Sequence, residues 1–152
     1  MEMDLVESFV DLYRGKNRNG ILDLMADEVV VSDPHFPVTT MIGKYNVKRG
    51  LNWSFSAISH SDINIISISA NGPFVFVELD TTHYLKIGLK YQYVQVLKIE
   101  ISNSKISSIS TYVTYPPGGL RGLLRRGFAL AWYLNDVAHN KLFKRTALRT
   151  AA

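Results

Sequence analysis

The chain has 152 residues, no cysteine, and 17 Lys and Arg against 13 Asp and Glu. That length fits one domain with a sizeable core, and a hydrophobic share of 47% with 20% charged residues excludes a disordered or highly charged chain. The lack of cysteine excludes a disulfide framework, a thiolate metal site and a cysteine nucleophile.

The net charge of +4 is unevenly placed. Residues 1–116 carry 10 basic and 12 acidic side chains, a net of −2, whereas residues 117–152 carry 7 basic side chains and only Asp136, a net of +6. The basicity belongs to a C-terminal segment. The remainder is slightly acidic and would repel a phosphate backbone, so no nucleic-acid partner is expected. The start, Met1-Glu2-Met3-Asp4, lacks the basic-then-apolar order of a secretory signal. Apolar runs such as Ala129 to Leu134 are too short to span a bilayer. A soluble, cytoplasmic domain is the expectation.

Residues 4–15 read as a helix. Leu5, Val6, Phe9, Leu12 and Tyr13 recur at helical spacing, and Glu2, Asp4, Glu7 and Asp11 sit early, where the dipole favours them. After a break at 15–20, residues 20–26 form a short second helix with Ile21, Leu24 and Met25 on one face. The β-branched run 28–33 is a strand stopped by Pro34. Residues 34–43, with two prolines and a glycine, are loop with at most a short strand. Residues 44–58 are a weaker helix with Val47, Leu51, Phe55 and Ile58 as its apolar stripe and Gly50 inside it.

From residue 62 the pattern turns to strands: 62–70, 73–86, 90–101 and 105–115. They are separated by turns at Asn71-Gly72, at 87–89 with Gly88, and at Asn103-Ser104. Helices followed by strands indicate an α+β layer, with three helices on one face of a curved antiparallel sheet. Pro116-Pro117-Gly118-Gly119 ends the pattern. Residues 1–116 are therefore expected to be the domain and 117–152 a basic helical extension. Its stripe of Leu120, Leu124, Phe128 and Ala131 favours packing on the domain or on a second subunit. A membrane contact through this basic segment, with Trp132 and Tyr133, is the less favoured alternative.

A tight connection near Gly88 would set Lys86 opposite Lys90 and Thr81 opposite Gln95. Side chains alternate along a strand, so the odd residues share one face. That face is apolar at both ends and carries Thr81, His83, Tyr91, Tyr93 and Gln95 in its middle. A plain core would not gather five polar-tipped groups, whereas a small-molecule pocket would. Asp33 can act as a base on a proton next to a carbonyl, or can simply satisfy backbone donors at the end of its strand. His83 can act as acid or base, or be a satisfied core histidine. His35 can lean over the pocket or into solvent. His60 reads as a solvated loop residue, and His139 falls in the basic segment. Trp53 either covers the pocket or packs on the sheet.

The four histidines, at 35, 60, 83 and 139, show no metal-ligand spacing, so no metal is expected. No Gly-x-Ser-x-Gly elbow and no phosphate loop occur, and no cofactor is expected.

The stretch Leu24-Met25-Ala26-Asp27-Glu28-Val29-Val30-Val31-Ser32-Asp33-Pro34, followed by Gly43 and a helix, resembles the NTF2-like superfamily. That group includes ketosteroid isomerases, SnoaL-type polyketide cyclases and scytalone dehydratase. The resemblance covers residues 4–115. It implies a cone-shaped α+β barrel with one deep pocket, often a homodimer through the outer sheet face. It further implies cofactor-independent proton transfer on a small apolar, oxygenated ligand: isomerisation, cyclisation or dehydration. Asp33 falls on the position of the ketosteroid isomerase base, and Gln95 on that of its protonated Asp. A Gln amide donates a hydrogen bond without needing a raised pKa. The first-helix tyrosine position falls near Phe9, with Tyr13 one turn later. The expected catalytic residues are thus Asp33, His83 and Gln95. The expected ligand contacts are Tyr13, Trp53, Thr81, Tyr91, Tyr93 and Thr111.

Overall fold

A computed structural model describes residues 2–113. Helix α1 spans Glu2–Arg14, with Glu2 and Asp4 in its first turn and Val6, Phe9 and Val10 buried. Helix α2, Arg18–Leu24, starts where the Asn17 side chain accepts the Gly20 amide at 3.0 Å, an N-cap that satisfies an otherwise orphan donor. Strand β1, Met25–Ser32, follows directly, and β2 is only Thr40–Ile42. Helix α3, Gly43–Ala57, opens on Gly43 at φ +78, a backbone conformation that suits glycine. Strands β3 (Ile58–Asn71), β4 (Phe74–Leu85), β5 (Lys90–Ser102) and β6 (Lys105–Val113) complete the described residues.

The six strands form one sheet in the order β2-β1-β6-β5-β4-β3. This is the expected α+β order, with two hairpin turns where turn residues called for them. Gly72 has φ +58, and Asn103 and Ser104 have φ 51 and 59, the pair of positive values that a tight hairpin between right-twisted strands needs. The expected helical extension, the boundary near residue 116 and His139 lie outside the described residues.

Three expectations are corrected. First, the sheet is mixed rather than antiparallel: β1 runs parallel to β6. These strands are remote in sequence and no hairpin joins them, so no tight turn imposes opposite directions. Second, β3 begins at Ile58. The chain passes from α3 into the strand with no loop, and the Ile58 amide still bonds to the Ser54 carbonyl. His60 is therefore a strand residue, exposed and stacked on Tyr84 with ring centroids 4.1 Å apart. Third, β4 and β5 pair with Thr81 opposite Tyr93 and Leu79 opposite Gln95. The turn closes through Gly88 N to Leu85 O at 2.9 Å and Leu85 N to Leu89 O at 2.8 Å, which centres the hairpin on Ile87. The pairing moves by two residues, so the faces are preserved.

The helices cover the odd face of β4 and β5. Val6 and Ile21 from the helices meet Val29, Val75, Val77, Ile99 and Ile106 from the sheet, all fully buried or nearly so. Bulges in β3 between Ile58 and His60 and between Ile65 and Ser67 bend the sheet. Gly50 lets α3 lie close to β2, because a Cβ there would stand 2.4 Å from Met41 Sδ and 3.3 Å from Phe36 Cε1.

Candidate functional site

Pro34 cannot continue the ladder, so β1 ends at Ser32 and Asp33 turns into the 33–39 loop. That loop is closed by Asp33 N to Thr39 O at 2.8 Å. Asp33 Oδ1 accepts the His35 backbone amide at 2.8 Å and lies 2.7 Å from His35 Nδ1. The first contact is a local turn bond of the kind Asp side chains favour. The second holds an imidazole against the carboxylate. Both side chains are mostly buried, with the Asp33 side chain 16% exposed.

The His35 ring lies against Tyr93, with centroids 4.3 Å apart. The Tyr93 hydroxyl is 2.9 Å from His83 Nε2, and His83 Nδ1 is 2.7 Å from Ser61 Oγ. Both nitrogens of the buried His83 ring thus have partners. Burial pushes the His83 pKa down to about 4; His35 adds to this, and the Asp33 charge opposes it. At neutral pH the ring is uncharged, with one nitrogen donating and the other accepting.

Tyr13 on α1 bonds to Ser54 on α3 at 3.1 Å. Its ring packs edge-on to Phe55 at 5.3 Å and lies 6.5 Å from His83. Burial pushes its pKa up to about 12; the Ser54 hydrogen bond opposes this, and the Asp33 charge adds to it. The same carboxylate is thus felt by both Tyr13 and His83.

A second polar group lies further along the sheet. Gln95 Nε2 donates to Thr81 Oγ1 at 3.3 Å, and both residues are buried. Thr111 on β6 stands opposite Leu97 and is also buried. Tyr91 is half-buried opposite His83, its ring 5.0 Å from that of Tyr93. Trp53 packs on the core, 6.0 Å from Phe36.

Asp33, His83, Tyr13 and Tyr93 are therefore brought together, while Gln95 bonds to Thr81 instead. His35, Ser54 and Ser61 complete the first cluster; the sequence pattern leaves His35 open between the pocket and solvent and does not mark Ser54 or Ser61. The Asp-Pro-His spacing is a signal for His35, but its direction depends on the turn. Among the described residues no three His, Asp or Glu side chains converge on a position that could hold a metal ion, and no helix is long and apolar enough to cross a membrane.

No protein of curated function matches the sequence. The fold is shared with solved structures of low identity. One is a Mycobacterium tuberculosis protein in complex with estradiol-17beta-hemisuccinate, 19% identical, with a TM-score of 0.65 over 74% of this chain and 97% of that one. Another is a Catenulispora acidiphila protein of ketosteroid isomerase-like fold in complex with trimethylamine, 18% identical, with a TM-score of 0.65 over 71% and 83%. A third is an LEH-like epoxide hydrolase of M. tuberculosis, 17% identical, with a TM-score of 0.64 over 73% and 80%. At such identities the likeness speaks for the fold. The SnoaL-like domain matches residues 6–109. The chain belongs to the SnoaL-like domain family, within the NTF2-like superfamily.

Proposed function

We propose that the chain binds a small apolar ligand carrying a few oxygens on the helix-covered face of the sheet and catalyses a cofactor-independent proton transfer on it. The observation that carries this reading is the mostly buried Asp33 carboxylate, grouped with a neutral His83 and the Tyr93 hydroxyl. Asp33 Oδ1 already takes two His35 contacts, so Oδ2 is the oxygen assigned to the substrate proton. The C–H bond next to a carbonyl breaks, its proton goes to Oδ2, and the electron pair moves to the carbonyl oxygen. Tyr93 or Gln95 would donate to that oxygen as charge develops, with His83 Nε2–H donating to the Tyr93 oxygen and so leaving the Tyr93 O–H for the ligand. Return of the proton to another carbon completes an isomerisation. Loss of a hydroxyl from the next carbon, protonated as it leaves, makes a dehydration instead. Tyr13, Thr81, Tyr91 and Thr111 would line the ligand, with Trp53 behind them.

Two of the fold relatives hold small ligands, trimethylamine and estradiol-17beta-hemisuccinate, and the second, apolar with a few oxygens, supports the choice of ligand class. Pairing of two copies through the outer sheet face is part of the proposal, and Tyr112, opposite Val96 there, is 58% exposed.

The test is solvent deuterium exchange next to the carbonyl of 2-tetralone and 3-cyclohexenone, followed by NMR. Wild type is expected to speed exchange, and Asp33→Asn to lose about 100-fold or more of that rate, the usual reach of general base catalysis. Equal rates for the two proteins would remove Asp33 as base.

A second reading is a non-catalytic ligand-binding or dimerisation module. The bond from the His35 amide to Asp33 favours it, since that is what a purely structural Asp-Pro turn would make. Ligand binding without exchange is its expected signature.

A further inference from the structure

Among the described residues, the Thr111 hydroxyl is a buried side-chain oxygen with no hydrogen-bond partner. Thr111 is only 9% exposed. It points to the same face as Ile109, two residues earlier on β6 and buried in the core. Buried hydroxyls are normally paired, because leaving one unmet forfeits its hydration with nothing in return. A valine of the same shape would avoid that loss.

The neighbours of Thr111 bear on what would meet it. The parallel β1–β6 ladder runs to Ser32 opposite Ser110, so Thr111 is the next residue on β6 and Asp33 is where the chain leaves β1. On the other side Thr111 pairs with Leu97, and Gln95 is the diagonal neighbour on the same face, within reach of a long side chain. Thr111 therefore lies on the strand between the one that ends before Asp33 and the one that carries Gln95. Thr111 and Gln95 are uncharged, and Asp33 would repel an anionic head group.

We propose that the Thr111 hydroxyl is the hydrogen-bonding contact for a neutral hydroxyl or carbonyl oxygen of the ligand, beside Asp33 and Gln95. This rests on the small-molecule reading above and adds where the ligand oxygen sits and what kind of oxygen it is.

The test compares the full chain with Thr111→Val and Thr111→Ser, using 2-naphthol and its hydrocarbon match 2-methylnaphthalene as probes in fluorescence titrations. Wild type should prefer 2-naphthol. Thr111→Val should reduce that preference about fivefold, the worth of one hydrogen bond, and Thr111→Ser should keep it. Without ligand, Thr111→Val should melt about 2–4 °C higher, since an unmet polar group is removed. A merely structural hydroxyl, bonded to a buried water, would give the opposite shift. A valine variant that melts lower or fails to fold overturns the proposal. So does an unchanged naphthol preference in that variant, or a wild type that binds both probes equally. If wild type binds neither probe, the small-molecule reading itself falls with it.

Discussion

The Tyr93 hydroxyl and His83 Nε2 meet at 2.9 Å although the two residues are not direct partners in the sheet. His83 faces Tyr91, and Tyr93 faces Thr81. The bond crosses the β4–β5 ladder diagonally, while Ser61, the direct partner of His83 on β3, takes the other ring nitrogen at 2.7 Å. Three strands are thus tied through one imidazole.

That imidazole should make stability depend on pH in a defined window. The pKa of His83 is about 4 in the folded protein against an ordinary value of 6.5. Between these values the unfolded chain holds more protons than the folded one, so acid favours unfolding. The stabilisation is complete above about pH 6.5, shrinks as pH falls toward 4, and changes no further below that. Its size is on the order of 3 kcal/mol. Urea midpoints for wild type and His83→Gln across pH 4–7 check this. The variant should show a visibly flatter profile, and identical profiles would mean that His83 is not buried neutral.

Ser61→Ala leaves His83 Nδ1 without its partner. A loss of about 1 kcal/mol is expected, with a change in the His83 tautomer balance read by nitrogen NMR. An unchanged spectrum would show that Ser61 does not orient the ring.

Tyr13→Phe removes the bond to Ser54, which is buried, and should cost about 1–2 kcal/mol in a denaturant titration. The raised Tyr13 pKa works at the alkaline end. A phenol that ionises near 12 in the folded chain and at 10.0 in the unfolded one contributes fully below about pH 10 and loses its contribution as pH rises toward 12. The variant should therefore lose less stability than wild type over that range.

Gly50→Val tests the close packing of α3 on β2. The added atoms would meet Met41 Sδ and the Phe36 ring, both buried. Overpacking is expected to destabilise by about 1–3 kcal/mol, seen as a lower urea midpoint. A neutral result would show that Met41 swings aside freely.

Elements that depend on local pattern are legible in the amino-acid order. Helix α1 follows from Val6, Phe9 and Val10 at helical spacing, and the β5–β6 hairpin from Asn103-Ser104. The inward face of β4 and β5 is legible too, because a shift of two residues preserves alternation. His35 is legible only as an open choice between the pocket and solvent. Whether a loop histidine turns inward depends on Asp33 Oδ1 and on a Tyr93 ring 58 residues later.

The amino-acid order by itself determined the run of helices and strands, the family, and which chemistry the chain can carry: carboxylate, imidazole, phenol, hydroxyl and amide groups, with no thiol. Periodicity and turn residues act over a few positions, so they can be read along the chain. Only the tertiary structure decided the parallel β1–β6 pair, the meeting of Asp33 with His35, the neutral state of His83, and the unmet hydroxyl of Thr111. Each of these depends on which distant side chains exclude water from a given atom, and burial of that kind is a property of the packed molecule rather than of any segment.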